Sequence, residues 1–423
     1  MTRFLYRLAW LVLAPLALVR LAWRARRQRG YLAHVAERFG RYRPVAPARR
    51  IWIHAVSVGE TRAAAPLVEA LAASHPRHRI LLTHMTPTGR ATGEEIFGDR
   101  VERAWLPYDQ GFAVRRFLRH FSPELGIVLE TEIWPQLLEA CARARIPVVL
   151  ANARLSERSA ARYARFPSLI GWALGNLRGI AAQGPGDAQR FAALGARDVA
   201  ITGNVKFDLA VPEGMRALGR ELRSRIGGAR TVWLAGSTRE GEEALLLDAF
   251  AAVAAGTPDA LLAIVPRHPQ RFAEVAALAQ ARGLPTARRS DPGPISPAAR
   301  VLVGDSMGEM LAYYEAADVV VMGGSLLPFG SQNLIEACAL GKPVIVGPHT
   351  WNFEEAAESA IAAGAALRVA DALAALQAAA ALTADEPRRL RMGANARSFV
   401  EAHRGAVPRL MAWLAAIAPL SDP

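Results

Sequence analysis

The chain has 423 residues, enough for two or three domains at about 100–200 residues each. Lys and Arg number 51 against 38 Asp and Glu, giving a formal net charge of +13 and a pI near 10.7. With 52% hydrophobic residues and a mean hydropathy of +0.13, the chain is too apolar to stay disordered. It is not polytopic either, because only one apolar stretch approaches a membrane span. Two cysteines, Cys141 and Cys338, exclude a disulfide framework or a cysteine-based zinc site and suit a reducing compartment. Such a basic body calls for an anionic partner: nucleic acid, an anionic membrane or a phosphorylated substrate.

The N-terminus carries an uncharged run of 12 residues from Leu8 to Val19, bounded by Arg7 and Arg20. It is short for a span of about 20 residues unless the flanking arginines snorkel. Arg24, Arg26, Arg27 and Arg29 follow where a signal peptide would have a small-residue cleavage site. A short signal-anchor, a monotopic interfacial helix and an ordinary core helix all fit this pattern. In either membrane reading, the arginines after Val19 favour a cytoplasmic body.

From Arg50 onward, short β-branched runs alternate with Ala/Leu-rich helical patterns such as Arg62–Ser74 and Pro135–Arg145. The spacing predicts strands at Ile51–Val56, Ile80–Thr83, Gly126–Leu129, Pro147–Ala151 and Val199–Thr202. It predicts more at Val232–Ala235, Leu261–Val265, Val301–Val303, Val319–Met322 and Val344–Val346. Ten strands alternating with helices read as two doubly wound α/β domains rather than one very wide parallel sheet. The expected division is a membrane-associated helix over 1–30, a first Rossmann-like domain over 31–206, a hinge over 207–225 and a second Rossmann-like domain over 226–423. Phe207–Arg225 is taken as the hinge because it holds Pro212 and Gly214 and has little β-branched character. The last helical pattern, Val407–Ile417, can pack back on the first domain.

Ligands of open parallel sheets bind beyond the carboxyl ends of the strands, so strand-end residues are the candidates for chemistry. Ile51–Val56 runs into Ser57-Val58-Gly59-Glu60, placing Glu60 at the start of a helix, as a reactive carboxylate or as a charge that complements the helix dipole. Ile127-Val128-Leu129 runs into Glu130-Thr131-Glu132-Ile133-Trp134-Pro135. If the chain stays extended, Glu130 and Glu132 point to one side and Thr131 to the other. Two strands delivering carboxylates to one sheet edge allow one to act as general base while the other sets its electrostatics. Gly203, Asn204 and Lys206 follow another strand, and Lys206 is either an interdomain cation or a solvated lysine.

In the second half, Gly236-Ser237-Thr238 ends one strand, and its small residues suit an anion. Pro266-Arg267 ends the next, where Arg267 can pair with a phosphate. Gly304-Asp305-Ser306-Met307-Gly308-Glu309, Gly323-Gly324-Ser325 and Gly330-Ser331-Gln332-Asn333-Leu334-Ile335-Glu336 complete a set of glycine-rich loops. Glu336 is placed to accept from ribose hydroxyls, or it belongs to a capping pair with Asn333. No P-loop or dinucleotide glycine fingerprint is present. His75 and His78 read as a solvated loop, with no metal-binding spacing around them.

Taken together and in order, these runs resemble the 3-deoxy-D-manno-octulosonic acid (Kdo) transferases of lipopolysaccharide synthesis, which are membrane-associated GT-B glycosyltransferases. The resemblance covers nearly the whole chain. It rests on Ile51–Glu60, Leu129–Pro135, Asn152–Ser159, Gly203–Asp208, Ala235–Thr238, Pro266–Arg271, Gly304–Glu309, Gly323–Ser325 and Gly341–Phe353. It implies a GT-B fold of two Rossmann-like domains with a cleft between them. It also implies inverting transfer of Kdo from CMP-Kdo to the lipid A precursor lipid IVA at the cytoplasmic side of the inner membrane, with no cofactor and no metal. By resemblance, Glu60 is the general base, and Glu130 and Lys206 support the transition state. The CMP of the donor is held by Pro266, Arg267, Met307, Gly308, Glu309, Asn333, Leu334, Ile335 and Glu336. One departure stands out: the family usually has Gly-Gly-His-Asn where this chain has Gly330-Ser331-Gln332-Asn333. Two other readings fit parts of the sequence. One is a GT-B transferase using a UDP- or ADP-linked sugar; the other is a basic surface- or nucleic-acid-binding protein. The second lacks any helix-turn-helix, zinc-finger or aromatic RNA-binding motif, so no nucleic-acid partner is expected.

Overall fold

The computed structural model describes residues 2–26 and 29–420. The chain divides into two compact units. The first runs to Asp208 and takes in the chain from Arg404 onward; the second is Leu209–His403.

The first unit is built on seven parallel strands among the described residues: β1 (Arg49–His54), β2 (His78–His84), β3 (Val101–Trp105), β4 (Leu125–Leu129), β5 (Val148–Ala153), β6 (Gly179–Ala182) and β7 (Val199–Ile201). Their order is β3-β2-β1-β4-β5-β6-β7. Five helices matter below: α1 (Thr2–Ala25), α2 (Val58–Ser74), α3 (Pro87–Phe97), α4 (Gly111–Phe121) and α5 (Pro135–Arg143). Parallel pairing requires a crossover between strands, and helices covering both faces leave the central strands apolar throughout. β4 is buried at every position. Alternation along β1 and β4 feeds two cores. Ile51, Ile53, Ile127 and Leu129 pack with Leu67 and Leu71 of α2, while Trp52 and Val128 pack with Phe117 of α4 and Leu137 of α5. Gly126 is required here, because a Cβ at this position would lie 2.8 Å from the Trp52 ring.

The second unit repeats the plan with β8 (Val232–Thr238), β9 (Leu261–Pro266), β10 (Thr286–Arg288), β11 (Val301–Val303), β12 (Val319–Met322), β13 (Val344–Val346) and β14 (Ala366–Arg368). The order is β10-β11-β9-β8-β12-β13-β14, again all parallel. In each sheet the chain starts in the middle, builds one way and then crosses to the other side. The switch points are therefore β1/β4 and β8/β12.

Each of the ten β-branched runs coincides with a strand, and four further strands were not anticipated. β3 carries Glu102 and Arg103 at a sheet edge, and β6 is Gly-Ile-Ala-Ala, too small to give a β-branched signal. β10 and β14 are edge strands of three residues that each end in arginine. The stretch expected as a hinge is mostly helix: Glu213–Ile226 packs within the second unit on the helix Met310–Ala316. Gly219 allows that approach, since a Cβ there would meet Glu315 at 2.4 Å. His78 is not in a solvated loop. It begins β2, is buried, and holds Glu124 at 3.2 Å.

The N-terminal run lies within α1, bent by 43° between Arg3–Trp10 and Leu13–Ala25. Pro15 sits inside α1, where it lacks the N–H for the carbonyl four residues earlier. No single helix among the described residues is long and apolar enough to cross a membrane; the bent pair passes that test only as a pair, by length and composition. Tyr6 donates to Asp109 at 2.8 Å and Arg7 to Glu139 at 2.6 Å, tying the first half of α1 to the unit. Arg27 of the basic cluster lies outside the described residues.

The last helix, Ala406–Ile417, belongs to the first unit, where it packs on α2. Asp208 caps it from outside: its two carboxylate oxygens accept from Gly405 N–H at 2.6 Å and Val407 N–H at 2.5 Å. Asp208→Ala leaves both amides without that partner, and the first unit should lose about 1–3 kcal/mol. A lower urea midpoint for its unfolding transition, partly restored by Asp208→Asn, is the expected result.

Candidate active site

The β1/β4 switch point gathers the carboxylates. β1 ends at His54, and Ser57 caps α2, accepting from the Glu60 N–H at 3.5 Å. Glu60 is the third residue of α2 and reaches back, accepting from Val56 N–H at 2.6 Å and from the Ser57 hydroxyl at 3.0 Å. This is a capping-box arrangement displaced by one residue, so the reading of Glu60 as a helix-start residue holds. The same contacts fix its carboxylate at the sheet edge, half-buried.

Glu130 directly follows β4 with φ of +60°, a left-handed conformation that a non-glycine residue adopts at a cost of about 1–3 kcal/mol. The chain therefore leaves the extended state at Glu130, and the expected alternation of Glu130 and Glu132 does not apply. Thr131 instead turns to donate to the Arg154 carbonyl, and Glu132 accepts from Trp134 Nε1 at 3.0 Å. Lys206 Nζ lies 2.7 Å from Glu130 Oε1, a mostly buried ion pair between strand ends far apart in sequence. Lys206 is held in place by the neighbouring backbone: Asn152, itself at φ +49°, accepts from Val205 N–H at 3.1 Å, and Asn204 accepts from Lys206 N–H at 3.0 Å.

Burial pushes the Glu60 carboxyl up to about 8, and the negative charges of Glu130 and then Glu132 push the same way. The Val56 N–H and the Ser57 hydroxyl oppose the rise without cancelling it. Burial also raises Glu132. A base with a value near neutrality is suited to taking a proton from a sugar hydroxyl.

Asp109 follows β3 and anchors the start of α5. Its carboxylate accepts from the Gln136 and Leu137 amides at the start of α5, at 3.0 and 2.7 Å, and from Tyr6. Burial pushes it up to about 6. Sequence reasoning missed this residue; its only signal was a polar pair, Asp109-Gln110, after a strand that was itself overlooked.

The β8/β12 switch point in the second unit is built from glycine and cations. A Cβ on Gly323 would lie 2.4 Å from the Ser237 carbonyl, so only glycine lets the two loops meet. The fully buried Glu242 accepts from Arg239, Gly324 and Leu326 N–H groups at 2.8, 2.6 and 3.0 Å, fixing both loops. Arg267 follows β9, its N–H bound to the Thr238 carbonyl at 2.9 Å. His268 is depressed first by burial and then by the positive charges of Arg239, Arg267 and Arg271. Arg271 is held by Glu243. Arg239, missed in the sequence, sits one residue past the strand end.

The remaining expected donor residues fall into two groups. Met307, Gly308 and Glu309 lie past β11, with Met307 and Gly308 exposed and Glu309 held by Ser306 at 2.6 Å and Arg289 at 3.2 Å. Asn333 donates to Glu336 at 3.1 Å and accepts from Ile335 N–H at 3.1 Å, but the helix Ile335–Ala339 is capped at Leu334, so Asn333 is not the N-cap that the capping reading expected. Pro266, Leu334 and Ile335 are buried, so their side chains are packed into the unit rather than presented to a ligand. Ser331 has φ of +71°, which explains a glycine preference there. Its N–H still bonds the Gly324 carbonyl at 2.6 Å and the Gln332 N–H bonds that of Gly323 at 3.0 Å, so the loop stays tied to β12 despite the lost glycine.

Because the folded value of Glu60 exceeds its ordinary 4.5, the folded state holds that proton more tightly. The Glu60 contribution to stability should therefore decline as pH rises from about 4.5 to about 8. Glu60→Gln should flatten that part of a urea-denaturation profile against pH. Glu130→Gln removes a negative neighbour and leaves the Lys206 ammonium without its partner there, so Glu60 should titrate lower by NMR. An unchanged titration would mean that the strand-end charges do not couple.

Residues 33–209 match the family described as 3-Deoxy-D-manno-octulosonic-acid transferase (kdotransferase), and residues 244–399 match Glycosyl transferases group 1. A 3-deoxy-D-manno-octulosonic acid transferase of Bordetella pertussis is 46% identical, covering 97% of this chain and 98% of its own. One from Haemophilus influenzae is 37% identical, covering 97% of each. Among solved structures, UDP-GlcNAc 2-epimerase from Neisseria meningitidis matches with a TM-score of 0.61 at 15% identity, covering 87% of this chain and 100% of that one. A glycosyltransferase from Rickettsia africae also matches at 0.61, with 11% identity and coverage of 89% and 100%. These last two likenesses are of fold, the GT-B fold of two Rossmann-like sheets.

Proposed function

This chain belongs to the 3-deoxy-D-manno-octulosonic acid transferase family, and from that premise we propose that it transfers Kdo from CMP-Kdo to lipid IVA, a lipid A precursor. The observation that carries the proposal is the Glu60 carboxylate at the β1/β4 switch point, raised to about 8 beside the Glu130–Lys206 pair. Glu60 removes the proton from an acceptor hydroxyl as that oxygen attacks the anomeric carbon. The carbon–oxygen bond to CMP breaks with the electron pair going to the phosphate, so a single displacement inverts the centre. Glu130 and Lys206 hold the field around Glu60 and support the charge that develops as the bond breaks.

In the second unit, Arg239 and Arg267 supply cations for the departing CMP phosphate. Glu309 and Glu336 are acceptors for sugar hydroxyls or base amines, steadied by Ser306 and Asn333. No metal or other cofactor enters this scheme. The reading also places the protein at the cytoplasmic side of the inner membrane. The apolar α1 supports this, with Phe4, Leu8, Leu16, Val19 and Trp23 all exposed.

The test uses purified protein, CMP-Kdo and a tetraacylated precursor, with products weighed by mass spectrometry. Glu60→Gln should lower turnover by about 10²–10⁴-fold, the usual range for a lost general base. Thermal protection by CMP should be retained. Normal turnover by that variant would remove Glu60 from the mechanism. Protection by UDP in place of CMP would overturn the donor.

A further inference from the structure

A cavity of about 730 Å³ opens in the first unit between α1, α4 and α5. It contains none of Glu60, Glu130, Glu132 or Lys206. Its volume falls in the range of small-molecule sites. Four arginines, Arg7, Arg115, Arg119 and Arg143, line it against one carboxylate, Glu139. Arg7 and Arg143 are committed to that carboxylate, at 2.6 and 2.9 Å. Arg115 and Arg119 are one helical turn apart on α4 and exposed, and neither makes an ion pair among the described residues. Two like charges at that spacing repel each other.

Apart from Gln110 and Gln136, the rest of the lining is apolar. Trp10 of α1 and Phe112 and Leu118 of α4 form the wall, and Phe112 is 44% exposed. The row Arg3, Arg7, Trp10 on α1 faces the cavity side, since Arg3 and Arg7 reach Glu139 and Trp10 lines the wall. Next to it, one residue on, run Phe4 and Leu8, exposed at 67% and 47%. A site with unpaired guanidinium groups at one end and a continuous apolar strip beside it is matched by an anionic amphiphile. Guanidinium groups bind phosphate in paired geometry, and an acyl chain removes the exposed rings from water.

We propose that this cavity binds the phosphate headgroup of an anionic membrane phospholipid on Arg115 and Arg119, with an acyl chain along Phe112, Trp10 and the exposed row of α1. The inference builds on the membrane placement proposed above but needs neither the donor nor the transfer step. It makes α1 one wall of a lipid site rather than an anchor acting alone.

The experiment is flotation of the full-length protein with vesicles of phosphatidylcholine alone or with phosphatidylglycerol added, in the absence of any sugar substrate. Wild-type protein should bind the anionic vesicles more tightly. Arg115→Gln with Arg119→Gln should weaken that binding by about 30-fold, the effect expected of two arginines near an anionic surface. A charge-matched control, Arg388→Gln with Arg391→Gln, should bind as wild type. The double variant removes exposed side chains, and its thermal unfolding should match wild type. Its turnover on detergent-solubilised acceptor should be unchanged.

Equal binding by the double variant, or an equal loss in the control, overturns the site. Displacement from vesicles by millimolar inorganic phosphate would identify a free-phosphate site instead. A raised KM for the solubilised acceptor would assign the cavity to the substrate and overturn the phospholipid. Failure of the transferase reading would leave the flotation result standing, and the reverse also holds.

Discussion

Glu60, Glu130 and Glu132 are brought to one edge of a parallel sheet, and much of the first unit is organised around holding those like charges together. Two of them stand at the ends of adjacent strands, where the peptide groups of β1 and the start of α2 offer N–H donors. The Val56 amide and the Ser57 hydroxyl fix Glu60, but they do not neutralise it. The compensating charge is Lys206, which comes from the far side of the sheet, past β7. Its turn is pinned through Asn152, and the same turn ends in Asp208, which caps the helix Ala406–Ile417. The C-terminal helix returns from beyond the second unit to pack on α2 and to brace the turn that carries the lysine. This gives a physical reason for a chain that leaves one domain and comes back to it at the end.

The two sheets share a topology and use it for opposite charges. At β1/β4 the loops deliver carboxylates. At β8/β12 they are glycine-rich and approach within backbone contact, with Arg239 and Arg267 just past the ends of β8 and β9. The glycines alone would leave those loops mobile. Glu242, fully buried, takes up the amides of both and so converts flexible sequence into a fixed cradle. Its burial raises its own proton affinity, and the amide donors, the Gly324 N–H above all, lower it. That balance keeps an acidic group acceptable beneath a site otherwise prepared for an anion.

Much of this was legible from strand ends. A β-branched run followed by a polar cluster located Glu60, Glu130, Lys206 and Arg267, because the parallel fold puts every such cluster on one edge. What the sequence concealed follows from the same physics. β3 and β6 are strands without a β-branched signal, so the residues after β3, Asp109 among them, do not read as strand-end residues. Glu242 looks like an ordinary first-turn acid, and only its zero exposure and four amide partners distinguish it. The pairing of Glu130 with Glu132 was read from alternation, which assumes extended backbone, and the left-handed turn at Glu130 broke that assumption. Pro212 and Gly214 suggested a hinge, but Pro212 only precedes a helix and Gly214 is inside its first turn.

The net charge of +13 takes on a different meaning once individual arginines are followed. Many are spent on backbone carbonyls. Arg300 donates to Pro258, Ala254 and Thr257, closing the end of the helix Glu242–Val253. Arg225 binds the carbonyls of Gly293, Arg289 and Asp291, and Arg190 that of Leu155. A guanidinium group has five donors in a fixed fork, so one arginine can satisfy several loop carbonyls where a lysine could not. These positive charges are structural donors first, and their sum carries little information about a polyanionic partner. The informative arginines are those set at concave surfaces. Arg239 and Arg267 follow the ends of β8 and β9 at the glycine-rich loops of the second sheet, and Arg115 with Arg119 line the cavity beside α1. Total charge thus misleads, whereas cations clustered in a concave, partly apolar setting mark where an anion is to be accommodated.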